Sequence, residues 1–108
     1  MALPVFLTAG AERDLDEIAD YIVGHDSPQA AERVLERLEQ ALEGLGEFPL
    51  RGDIPRELAD LGLKEYREIV SRPYRIVYRV TNEGVFVFLV ADGRRDFQSL
   101  LARRLLRA

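Results

Sequence analysis

The seven residues Val85–Ala91, Val-Phe-Val-Phe-Leu-Val-Ala, contain no polar side chain. A short β-branched and aromatic run of this kind is a strand. Having no polar alternation, it has no face to give to water, so it belongs at the centre of a sheet covered on both sides. The cover must come from within a chain of 108 residues. That length supports one hydrophobic core and not two, so a single α+β domain spanning residues 1–108 is expected.

The cover is legible upstream. Residues 3–8 read as a short strand, and Thr8 is placed to cap a helix whose early turns carry Asp14, Asp16 and Glu17, acids that suit its positive end. Ala11, Leu15, Ile18, Ala19 and Ile22 recur at intervals of three and four, which gives one buried stripe to a helix ending near Val23. Gly24 is its expected stop, and His25 falls in the turn beyond. Ser27-Pro28 then opens a second helix, with the hydroxyl on an orphan amide and the proline where its missing donor costs nothing. Its stripe runs from Ala31 through Val34, Leu35, Leu38, Ala41, Leu42 and Leu45, and Gly44, Gly46 and Phe48-Pro49 are the expected stop. Two amphipathic helices joined by a short turn make a helical hairpin.

Residues 50–63, with Gly52, Pro55 and Gly62, read as an irregular connection holding one helical turn at Arg56 to Leu61. Three strands follow, Tyr66 to Ser71, Tyr74 to Val80 and Val85 to Ala91, joined by turns at Arg72-Pro73 and Asn82-Glu83-Gly84 into an antiparallel meander. In the middle strand Tyr74, Ile76, Tyr78 and Val80 share one face, and Arg75, Val77 and Arg79 the other. After Asp92-Gly93 a short helix is expected, with Phe97, Leu100, Leu101 and Leu105 on its apolar side and Arg103, Arg104 and Arg107 on its polar side.

The chain has no cysteine, which removes disulfides and thiolate metal sites. Metal and cofactor binding are not expected: there is no Gly-rich phosphate loop, no Ser-His-Asp set and no ligand cluster. No apolar run nears the roughly 18 residues of a membrane span, so the cytoplasm is the expected compartment. The net charge of −4 speaks against a protein that coats nucleic acid, and direct DNA binding is not expected. That total conceals a division. Residues 1–63 carry −9 and residues 64–108 carry +5, so a basic face in the second half is one reading and a solvated surface with ordinary arginines is the other.

The order of parts resembles ParE-like toxins of the RelE/ParE superfamily. The resemblance rests on Leu7-Thr8 with Ala11, Asp14, Leu15, Ile18, Tyr21 and Ile22; on Ala30, Ala31 and Leu38 through Phe48-Pro49; and on three later motifs. These are Tyr66-Arg67-Glu68, Pro73-Tyr74-Arg75-Ile76-Val77-Tyr78 and Gly93-Arg94-Arg95-Asp96. It implies a toxin neutralised by a cognate ParD-like or RelB-like antitoxin in a hetero-oligomer. For ParE-like members the implied target is a DNA gyrase subunit. For RelE-like members the implied activity is ribosome-dependent cleavage of messenger RNA, and a degenerate member would bind its antitoxin without poisoning anything.

Cleavage of RNA needs a general base, a general acid and cations around the phosphate. Tyr66 and Glu68 are the candidates for acid and base, with Arg67 and Arg75 for the cations. The positions after the last strand, Ala91-Asp92-Gly93, lack the His, Lys or Tyr that RelE-like nucleases place there. His25 reads as a solvated turn residue. Arg67, Arg75, Arg79, Arg94 and Arg95 are candidates to meet phosphate or carboxylate on a target or antitoxin, while pairing of Arg94 or Arg95 with Asp92 or Asp96 would only pin the turn. Phe97, Leu101 and Leu105 are either a surface for a partner or packing for their own domain.

Overall fold

A computed structural model describes residues 2–106. Strand β1 (Val5–Leu7) leads into helix α1 (Ala9–His25), then α2 (Pro28–Glu47), a single turn α3 (Arg56–Ala59), strands β2 (Tyr66–Ser71), β3 (Tyr74–Thr81) and β4 (Gly84–Asp92), and α4 (Phe97–Leu101). A turn of π-helix, Ala102–Leu106, continues α4. The sheet order is β1-β4-β3-β2: the meander is antiparallel, as its turns require, and β1 adds to β4 in parallel with Val5 opposite Val85. The apolar strand β4 is therefore flanked on both sides, the position its sequence demands.

Both helix caps form. Thr8 Oγ1 accepts the Ala11 N–H at 3.2 Å and Ser27 Oγ accepts that of Ala30 at 3.0 Å, contacts worth about 1 kcal/mol each. The glycine stops do not hold. Helix α1 runs through Gly24 to His25, so His25 is the last helical residue and not a turn residue; its ring stacks on Tyr21 at 4.0 Å. Helix α2 runs through Gly44 and Gly46 to Glu47. Gly46 is there for proximity: a Cβ would lie 2.6 Å from the Leu3 carbonyl, and the Leu3 N–H donates to Gly46 C=O at 3.0 Å. The closeness of β1 to α2 thus depends on the missing side chain.

Two cores sit on opposite faces of the sheet. Ala11, Leu38, Leu42 and Leu45 of the hairpin meet Ile69, Ile76, Tyr78, Val85, Val87 and Val90 on one face; Leu58 of α3 and Phe97, Leu100 and Leu101 of α4 meet Val77, Leu89 and Ala91 on the other. The alternation in β4 breaks between Val87 and Val90 because the register with β3 slips there. Val77 is opposite Leu89 but Tyr78 is opposite Val87, leaving Phe88 as an extra residue. This bulge reverses which parity faces the hairpin.

Candidate functional site

Four arginines of the second half, Arg67, Arg75, Arg94 and Arg104, are bonded within the fold. Arg75, on the α3/α4 face of β3, donates from both terminal nitrogens to Glu57 (3.0 and 2.8 Å) and from Nε to Glu68 (2.6 Å), and its guanidinium lies 3.8 Å from the centroid of the Phe97 ring. The hydrogen bond to Glu57 raises the Arg75 pKa further, and the same bond holds the Glu57 carboxyl below its ordinary value. Two carboxylates and an aromatic ring surround this cation, so of the two ligands expected for it, phosphate or carboxylate, it meets carboxylates of its own chain. Glu68, expected as a base, is one of those carboxylates. Tyr66 is half-buried and meets Phe88 edge-on at 5.6 Å.

Arg67 is on the opposite sheet face, across from Tyr78. It donates to the carbonyls of Leu50 (3.2 Å) and Gly52 (2.7 Å), and the buried Tyr78 hydroxyl accepts the Gly52 N–H at 3.0 Å. These contacts latch the connection between α2 and α3 to the sheet, and burial pushes the Tyr78 pKa up. The four residues considered for RNA cleavage are therefore divided: Tyr66, Glu68 and Arg75 on one face, Arg67 on the other.

Among the remaining candidates, Arg79 and Arg95 are exposed. Arg94 bonds Asp92 through Nη2 at 2.6 Å, and its side chain is 83% exposed, so it pins the turn while staying accessible. The tail stripe packs on its own domain: Phe97 and Leu101 are buried and Leu105 is half-buried against the same core. The reason is that Val77, Leu89 and Ala91 need cover that the hairpin, on the other face, cannot give.

Two features escaped the sequence reading. Asp14, buried on α1, accepts the Val90 N–H at 2.9 Å and takes two bonds from Arg104 at 2.8 and 3.0 Å, while Arg104 also donates to the Phe88 carbonyl at 2.7 Å. The bulge and the end of β1 leave these backbone groups of β4 without a strand partner, and the ion pair closes them. The second feature is a groove of about 690 Å³ between α1 and the ends of β3 and β4. Ile18, Tyr21, Ile22 and Tyr74 form its walls, and Glu17, Arg94 and Arg95 stand among its lining residues. Tyr21 is 64% exposed there. Tyr21 was part of the family pattern; nothing in that pattern gave the groove.

Among the described residues no cluster of three His, Asp or Glu is arranged to hold a metal, and no helix is long and apolar enough to cross a membrane. The groove sets two tyrosines beside acids and arginines, with Glu17, Asp92, Arg94 and Arg95 among its lining residues.

Comparison with known proteins agrees with this architecture. The chain is 38% identical over 91 residues to Toxin RelE2 of Caulobacter vibrioides, covering 84% of this chain and 96% of that protein. It is 26% identical over 102 residues to Toxin ParE3 of the same organism, covering 93% and 96%. The fold matches a chain of the chromosomal ParDE system from P. aeruginosa with a TM-score of 0.71 at 19% identity, over 84% of this chain and 96% of that one. The family model for the ParE toxin of type II toxin-antitoxin system, parDE, matches residues 5–97. This chain is a toxin of a type II toxin–antitoxin system and belongs to the ParE toxin family.

Proposed function

We propose that the chain acts by inhibiting DNA gyrase through protein contact and that a cognate antitoxin neutralises it. The observation that carries this reading is the state of Arg75. This half-buried cation is held by Glu57 and Glu68, and a cation neutralised twice over is a poor stabiliser of a phosphate gaining charge. The accessible chemistry lies elsewhere, at Tyr21, Tyr74, Arg94 and Arg95, where aromatic and guanidinium groups suit a protein partner.

The test is growth of bacteria on inducing the chain alone and with the product of the adjacent reading frame, reading plasmid supercoiling and messenger integrity from the same cultures. Arrest with altered supercoiling, intact messages and rescue by the neighbour is expected. The similarity to Toxin RelE2 keeps a second reading, ribosome-dependent cleavage of messages; cut messages with unchanged supercoiling would establish it in place of the first. Full growth would point to a member that binds its antitoxin and poisons nothing.

A further inference from the structure

Ion pairing sorts the charges of a surface into those already answered and those still open to a partner. Around the groove between α1 and the ends of β3 and β4, Asp14 is answered by Arg104 and Asp92 by Arg94. A second cavity, of about 210 Å³, opens on the same wall. It shares Asp14, Glu17 and Arg95 with the groove and adds Arg13 from α1 and Arg103 from the tail. Arg13, Arg95, Arg103 and Glu17 are exposed, and none of the four forms an ion pair among the described residues. Three arginines therefore stand against one glutamate. Asp96 lies within the field of Arg103, but its carboxylate caps α4, accepting the Ser99 N–H at 3.2 Å and the Ser99 hydroxyl at 2.7 Å.

The groove itself differs in character. Ile18, Tyr21, Ile22, Pro73 and Tyr74 give it apolar walls, and Tyr21 is 64% exposed. Its volume of about 690 Å³ falls within the range of cavities that enclose a compact ligand, roughly 300–1,000 Å³. It suits the side chains of one short segment better than a broad face.

We propose that the two cavities together receive one acidic segment of the target protein, with an apolar or aromatic side chain against Tyr21 and Tyr74 and carboxylates at Arg95, Arg103 and Arg13. The inference rests on the gyrase reading above and adds a place and a chemistry to it. The anchored side chain supplies the buried contact that dominates binding, and the guanidinium groups meet planar carboxylates with paired bonds and steer the encounter. Arg95 lines both cavities, so it joins the anchor to the charged part. Phosphates would answer the same arginines. Glu17 stands in both cavities, however, and repels a backbone charged at every step, whereas a protein segment can set a neutral or basic residue beside it.

Binding of the full chain, released from its antitoxin, to purified gyrase tests this, with supercoiling followed in parallel. The double reversal Arg95→Glu, Arg103→Glu changes only exposed side chains and is expected to leave urea unfolding unchanged. It is expected to weaken binding at least about tenfold at low salt, with a smaller effect at about 0.5 M salt. Tyr21→Ala is expected to weaken binding by a similar factor at either salt concentration. A poly-Glu peptide is expected to compete with gyrase for the unaltered chain and not for the reversed one. Binding that survives both substitutions overturns the docking place while the gyrase reading stands. A reversal that weakens the antitoxin complex and spares gyrase assigns the arginines to the antitoxin and overturns the proposal. A single-stranded oligonucleotide that displaces gyrase where poly-Glu does not assigns them to phosphate, with the same result. Self-association of the chain that the reversal abolishes assigns them to the acidic half of a second copy, residues 1–63 with their charge of −9, and also overturns it. If the unaltered chain does not bind gyrase at all, the gyrase reading fails, and the docking place falls with it.

Discussion

Arg75 and Arg104 are both arginines from the basic half of the chain, and the fold uses them differently. Arg75 gathers neighbours: Glu57, Glu68 and Phe97 come from α3, β2 and α4 on one sheet face. Arg104 reaches across the chain to Asp14, ninety positions away, and the pair also takes up the Phe88 carbonyl and the Val90 N–H. The first arginine has two carboxylates, so loss of either leaves the other. The second has one carboxylate, which is itself the acceptor for a strand amide. What decides the importance of an ion pair here is how many groups have no second partner, more than how many bonds it makes.

Substitutions sharpen that contrast. Asp14→Ala is expected to cost the most, about 3 kcal/mol in urea unfolding, because it strands Arg104 and the buried Val90 N–H together. Asp14→Asn keeps an acceptor and is expected to lose about half as much. Arg75→Ala should cost about 2 kcal/mol, since Glu57 and Glu68 are left facing each other but near enough to solvent for water to relieve them. If Arg75→Ala proves the costlier of the two, the argument from unpartnered groups is wrong.

Acid provides a gentler probe. Arg75 holds the Glu57 carboxyl below its ordinary value of 4.5, so the folded chain binds fewer protons there than the unfolded one. The stability this contributes is complete above pH 4.5 and is lost as pH falls through the lower folded-state value. Glu57→Gln is expected to flatten that acid limb and to cost about 1 kcal/mol at neutral pH; an unchanged limb would remove Glu57 from the account. Asp92 and Asp96, lowered by Arg94 and by Ser99, act in the same direction from the surface. Smallest of all, Tyr21→Ala should alter stability by no more than about 0.5 kcal/mol. Its effect should be seen instead in weaker binding of whichever partner uses the groove, measured by calorimetry.

Much of this fold was legible because period decides it. The helical stripes follow from spacing, the Thr8 and Ser27 caps from their hydroxyls, and the three meander strands and the central place of Val85–Ala91 from β-branched and aromatic content. The glycine stops misled because Gly46 answers to the Leu3 carbonyl, a tertiary contact with no local mark. The bulge at Phe88 was hidden for a related reason: in a run apolar at every position, a change of phase leaves no trace in the pattern. At the candidate site, the pairing of Arg94 with Asp92 was legible from their closeness in sequence, whereas Arg67 was singled out by type but not by role. Glu57 was placed on its helical turn but given no partner, and the pairing of Asp14 with Arg104 links positions that no window spans.

The parallel pairing of β1 with β4 has a consequence in time. A strand made first must wait for the strand made last, so during synthesis the hairpin of α1 and α2 exists with its apolar stripe uncovered and its sheet incomplete. Contacts so distant in sequence form slowly and expose sticky surface while they wait. A chain built this way has no finished surface with which to engage any target until nearly all of it has been made, and the interval belongs to whatever binds the exposed hairpin first.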